Sequence, residues 1–196
     1  VIAPAHHRRI QAGILSWGQD LDHEHNPFQC NLGYQVSLSG KGEWAKKGDY
    51  IGKQALEKMK ADLKDGHKPY KLQLVGFEIG GKPIDEYAPD FWLVSPGDGG
   101  DPCGFITSPW YHPEKGKNIA MGYIPFDGTL NPNGFPKWEL GKKFKVHLPD
   151  IYADEPGVPV DAVTVDVPFT ESFNANTREV VKLSLIHISE PTRLDD

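Results

Sequence analysis

The sequence predicts an α+β chain in which a mixed N-terminal third leads into a small antiparallel β-unit, either a barrel or a sandwich. Three observations carry this. From Lys71 onward, six short apolar runs follow one another with no helical pattern between them. The connections between those runs are rich in Gly, Pro and Asp. The chain holds 17 prolines in 196 residues, above the average of about 5 per cent, and most lie in these connections, where they mark loops rather than kinked helices. Before the β-region there is one clear amphipathic helical pattern, stopped by a glycine.

In chain order, Ile10, Ile14 and Leu15 recur at helical spacing after Arg8 and Arg9, and Asn31–Leu38 (NLGYQVSL) alternates like a strand. Ile51, Ala55, Leu56, Met59 and Leu63 trace one helix face with Gly66 as its stop. The segment DGHKPY (65–70) reads as a boundary. Strands are expected over 71–79, 91–94, 104–108, 118–125, 143–148 and 161–169. Trp92, Trp110, Tyr111 and Tyr123 sit in or beside them, where packing is the ordinary role of an aromatic ring.

A net charge of −6 argues against a nucleic-acid or anionic-membrane partner, which needs a basic face. No run approaches the roughly 20 apolar residues of a membrane span, and no charged-then-apolar signal segment opens the chain. The two cysteines, Cys30 and Cys103, are far apart and outside any C-x-x-C spacing. This reads as a reduced, cytoplasmic setting.

Gly76 to Lys82 satisfies seven positions of a phosphate-binding loop. The eighth must be Ser or Thr and is Pro83, and the residues that follow do not start a helix. Asp20, Asp22, His23, Glu24 and His25 crowd one short stretch, and His23 and His25 would share a face if extended. Polar loops also look like this, no third histidine is placed, and no metal is assigned. There is no G-x-S-x-G elbow, and neither cysteine has a nearby histidine to activate it.

The stretch RRIQAGILSWGQDLDHEHNPFQCNLGY (8–34) resembles a segment of the glycine-cleavage T-protein and folate-dependent demethylase family, with its Arg-Leu-Glu-Ala-Gly core and aromatic-Gly-x-Asp run. DYIGKQAL (49–56), LQLVGFEIGGKPI (72–84), GFITSPWYHPEKGKNIAMGYIP (104–125) and VDVPF (165–169) follow in family order and spacing. The resemblance implies that residues 1–66 close a folate-binding domain and that 68–182 form a C-terminal antiparallel β-barrel. It implies tetrahydrofolate as cofactor and a small-molecule one-carbon donor. A lipoyl carrier protein is the implied partner if the chain is a true T-protein. The family's catalytic aspartate lies in an N-terminal half outside these residues, so no catalytic residue is assigned and the fragment alone is expected to be inactive.

Three cofactor-binding positions follow from the same resemblance. Gln11 stands where the family has a glutamate that contacts the pterin. A carboxylate accepts two hydrogen bonds from pterin N–H groups, whereas a carboxamide offers one acceptor and one donor there. Trp17 stands at a family aromatic. The family arginine after the strand near Leu38 is missing, and Lys41 is the nearest cation, without the planar fork. These departures, with the acidic insertion 149–161, favour a demethylase-like or uncharacterised branch over a strict glycine-cleavage enzyme. The resemblance also admits a folate-binding relative without catalysis, and the T-protein-like tail of a flavin-dependent sarcosine or dimethylglycine dehydrogenase. Residues 183–196 are set apart: LSLIHISEPTR (183–193) resembles a translated sequencing-library adapter and is left out of the fold.

Overall fold

A computed structural model of the chain describes residues 6–36, 38 and 50–169. Six strands close into an antiparallel barrel: β1 (Leu72–Ile79), β2 (Trp92–Pro96), β3 (Gly104–His112), β4 (Lys117–Pro125), β5 (Lys143–Val146) and β6 (Val160–Val165). Their order around the barrel is β1-β4-β3-β2-β5-β6. The antiparallel unit read from the sequence is therefore the barrel, not the sandwich. Closure leaves no free sheet edge.

The interior is filled by inward-facing residues such as Val75, Phe77, Val94, Ile106, Phe144 and Val146. A second cluster lies outside the barrel wall, where Leu74, Ile119, Met121 and Tyr123 pack with Ile10 and Phe169. Strands β1 and β4 are thus covered on both faces, which is why they read as continuous apolar runs instead of alternating ones. The helix α2 (Lys53–Lys64) packs Leu56, Met59 and Leu63 with Phe28, Tyr70 and Phe126 in a third cluster. The acidic stretch between β5 and β6 buries Tyr152 and Ala153, and the Tyr152 carbonyl accepts the Lys82 N–H at 2.8 Å. The Gly80 N–H is spent on Asp161 O at 2.8 Å, so the Gly80 and Lys82 amides are engaged by protein and not turned to a phosphate.

Several local expectations are corrected. Among the described residues of Asn31–Leu38 there is no strand. Asn31 takes a left-handed backbone (φ 60) and a 3-10 turn follows at Gly33–Gln35. The Asn31 amide donates to Leu74 O at 2.7 Å, and this side-chain bond to a neighbouring strand competes with extension. The first helix, α1, covers His6–Gln11 and leaves Ile14 and Leu15 beyond it. Gly13 at φ 68 ends it, with its N–H on Ile10 O at 2.9 Å. In α2, Gly52 (φ 90) precedes the first turn, and Ile51 and Ala55 are exposed instead of sharing the buried face. Strand β3 runs through Pro109 to His112. Proline is tolerated because β2 pairs only as far as Ile106, so Pro109 has no ladder partner on that side. Strand β6 stops at Val165 instead of continuing to Phe169.

Candidate functional site

The candidate site grows from α1 and the loop after it, both laid on the outer wall of β3 and β4. Ile10 is wholly buried there. One residue earlier, Arg9 reaches the loop and donates through Nη1 to Asp20 Oδ2 at 2.8 Å. Its Nη2 donates to Ser108 Oγ at 2.8 Å and Gln19 Oε1 at 3.1 Å.

Asp20 is 1% exposed, and each carboxylate oxygen has two donors. Oδ2 takes Arg9 and the Ser16 N–H at 2.8 Å, and Oδ1 takes the Thr107 hydroxyl at 2.6 Å and the Ser108 hydroxyl at 2.5 Å. Two adjacent strand residues ordinarily face opposite sides of a sheet. Here the register of β3 against β4 slips between Ile106 and Ser108, and this bulge turns both hydroxyls onto one oxygen. Tyr123 adds a bond from its hydroxyl to the Asp20 carbonyl at 2.6 Å and lies 3.4 Å from Cys30 Sγ. Burial pushes the Tyr123 phenol and the Cys30 thiol up, so both stay protonated. The network holds geometry; its acceptors are filled.

The loop 16–21 closes on itself around this carboxylate, with Asp20 N on Ser16 O and Gly18 N on Leu21 O, each at 2.8 Å. Trp17 rides on that loop, 68% exposed. Gln11 ends α1. Its carbonyl accepts the Phe169 N–H at 2.9 Å, while its half-buried side-chain amide makes no hydrogen bond among the described residues. Gln11 and Trp17 are therefore on two segments tied to one anchor, and the Gln11 amide is an open polar group. Lys41 lies outside the described residues.

The polar stretch flagged for metal divides. Asp20 is spent on the barrel, and Asp22 bonds the His25 ring and the Glu24 N–H, both at 2.8 Å, which hold its carboxyl below the usual range. Among the described residues, no group of three or more His, Cys, Asp and Glu could hold a metal ion. Behind the segment Ala12–Leu15 lies a cavity of about 250 Å³ lined by Gly13, Cys30, Leu74, Met121 and Val167. Sequence reasoning missed Arg9, Thr107 and Ser108 and gave Asp20 no role. The available signal was a Thr-Ser-Pro run inside a strand, where polar side chains need a partner.

No family model matches the chain. It is 32% identical over 117 residues to an aminomethyltransferase of Synechocystis sp., covering 60% of this chain and 27% of that protein. It is 29% identical over 162 residues to an aminomethyltransferase of Thermosynechococcus vestitus, covering 82% and 35%. Over the matched stretch the chain is similar to aminomethyltransferases, of which it covers only a part. Its fold matches the crystal structure of glycine cleavage system aminomethyltransferase T from Bartonella henselae, with a TM-score of 0.57 and 20% identity over 83% of this chain and 37% of that one. The chain thus spans about a third or less of the T-protein relatives it matches. Among the described residues, no helix is long and apolar enough to cross a membrane.

Proposed function

We propose that this chain is part of a tetrahydrofolate-dependent one-carbon transferase of the aminomethyltransferase or methyltransferase type, with Gln11 and Trp17 at the edge of its folate site and Lys41 a third contact. The observation that carries the reading is the set of five motifs in T-protein order, laid on a barrel of the matching fold. The residues present fit a pterin edge. The half-buried Gln11 amide has no protein partner among the described residues and can give and take hydrogen bonds, and the Trp17 ring is free to stack.

Bound folate would supply the nitrogen that receives the one-carbon unit. This chain's own residues orient it: Gln11 reads the pterin by hydrogen bonding and Trp17 shields a ring face from water, which is positioning in the sense that governs such transfers. The catalytic aspartate belongs to the longer protein, so this chain alone is expected to be inactive. A lipoyl carrier protein or a small methyl or aminomethyl compound is the donor.

Gln11 also favours a second reading, a folate-binding relative that transfers nothing. Calorimetric titration of the full-length protein with tetrahydrofolate, as wild type and as Gln11→Glu, tests the site. A restored second acceptor tightens binding about five- to tenfold. Unchanged affinity would mean that position 11 does not touch the pterin. Turnover of a one-carbon donor by the same protein separates transferase from binding relative.

A further inference from the structure

We infer that Asp20 is the positioning residue of the proposed folate site, setting Gln11 and Trp17 in place through one buried carboxylate. The inference rests on the reading of those two residues as folate contacts. Its basis is that one buried carboxylate is bonded to both segments and to the barrel wall at once. The helix α1 is six residues long, too short to persist without tertiary contacts. What fixes it is Ile10 in the outer cluster, the His6 and His7 rings against Tyr87 and Trp110, the Gln11 carbonyl on Phe169 N, and Arg9 on Asp20 and Ser108. Only the last of these is directional and charged, and it acts two residues from Gln11.

The loop that carries Trp17 is bonded to the same group, beside the Gln19 amide that donates to Thr107 O at 2.8 Å. Ser16 N donates to Asp20 Oδ2 at 2.8 Å and Asp20 N returns a bond to Ser16 O at 2.8 Å, so the residue before Trp17 is bound to Asp20 in both directions. The frame for both segments is the β3 bulge, where Thr107 and Ser108 fix Oδ1. The carboxylate therefore joins three separate pieces: the helix end, the loop and the barrel wall. All four of its hydrogen bonds are donated to it, so a group with fewer acceptor sites of the same size cannot hold all three. Asp20 touches no folate in this arrangement. It acts through the two residues that would.

The test is Asp20→Asn in the full-length protein, with tetrahydrofolate affinity, a thermodynamic cycle and a ligand-free probe. The amide matches the carboxylate in size but turns one acceptor into a donor facing donors. Affinity should fall about tenfold or more. Combined with Gln11→Ala, the loss should be well below the product of the two single losses, because the Gln11 contact is already gone. A merely structural role predicts that the two losses multiply. Independently of ligand, fluorotryptophan labelling should show the Trp17 resonance shifted in Asp20→Asn while that of Trp92, inside the barrel, is unmoved. If Asp20→Asn does not fold, Thr107→Val and Ser108→Ala remove one donor each, and Thr107→Ser should restore the wild-type resonance. Wild-type affinity in Asp20→Asn, multiplying losses or an unshifted Trp17 resonance would overturn the inference. A wild-type protein that binds no tetrahydrofolate would instead sink the functional reading itself, and the role of Asp20 as its positioning residue with it.

Discussion

Arg9 and Asp20 form an ion pair at 2.8 Å, with side chains 11% and 0% exposed, within the N-terminal segment at the seam where it meets the barrel wall. They lie eleven positions apart in sequence, and the chain between them carries both the end of α1 and the Trp17 loop. The pair is completed by hydroxyls from the opposite side of the seam, so it is a joint as much as a bond.

Removing one partner of such a pair leaves the other charge buried and unanswered. Asp20→Ala should destabilise the chain by about 3–5 kcal/mol, because Arg9, Ser16 N, Thr107 and Ser108 all lose an acceptor together. Urea unfolding of the whole chain checks this; a change below about 1 kcal/mol would show that water replaces the carboxylate freely.

Gly13 and Gly18 share a left-handed backbone, at φ 68 and φ 83, but differ in the space around them. A side chain at 13 would meet the Val167 methyl group, whereas nothing lies within 4 Å of one at 18. Gly18→Ala should cost about 1 kcal/mol, for the backbone alone. Gly13→Ala should cost about 1–3 kcal/mol more, for the collision. Equal losses in thermal melts would mean that Val167 yields without strain.

His112, at the end of β3, is 1% exposed, and neither ring nitrogen has a hydrogen-bond partner among the described residues. Burial lowers its pKa below the ordinary imidazole value of about 6.5, with Lys115 acting in the same sense and Glu114 and Glu78 opposing. The folded chain thus binds this proton less readily than the unfolded chain. Its contribution to stability is fully present above about pH 6.5 and is lost as pH falls toward the lower folded value. His112→Phe should flatten that part of the profile in urea unfolding between pH 7 and 5. The fall contributed by His6, whose pKa burial also lowers, remains in both proteins. A profile unaltered by the substitution would refute the assignment.

A trimming series tests the domain organisation. A chain ending at Lys182 should melt at nearly the temperature of the whole chain, since residues 183–196 are expected to add nothing to this fold. We propose further that residues 68–182 fold cooperatively by themselves, because the barrel interior is filled by its own strands. They should melt lower than the whole chain, with Ile10 and Asp20 gone from the outer wall. A gradual, non-cooperative melt would count against an autonomous barrel.

Runs of apolar residues bounded by turn residues were enough to read all six strands, because a strand's apolar run and its Gly and Pro breakers are local signals. The position of α2 followed in the same way from its spacing and Gly66. Sequence also carried the T-protein likeness, and with it Gln11 and Trp17 as positions of interest. What it left undecided depends on contacts far along the chain. Whether the strands close into a barrel is set by the pairing of β1 with both β4 and β6. Asn31–Leu38 alternates like a strand, yet Asn31 bonds to Leu74, and that distant carbonyl breaks the extended run. Asp20 looked like part of an open polar loop, and only the tertiary structure brings it to Thr107 and Ser108. A bulge is one added residue on one strand relative to its partner, so it is a property of the pair and no single segment encodes it. A charge belongs on the surface until something distant answers it, and here the answer comes from the barrel wall.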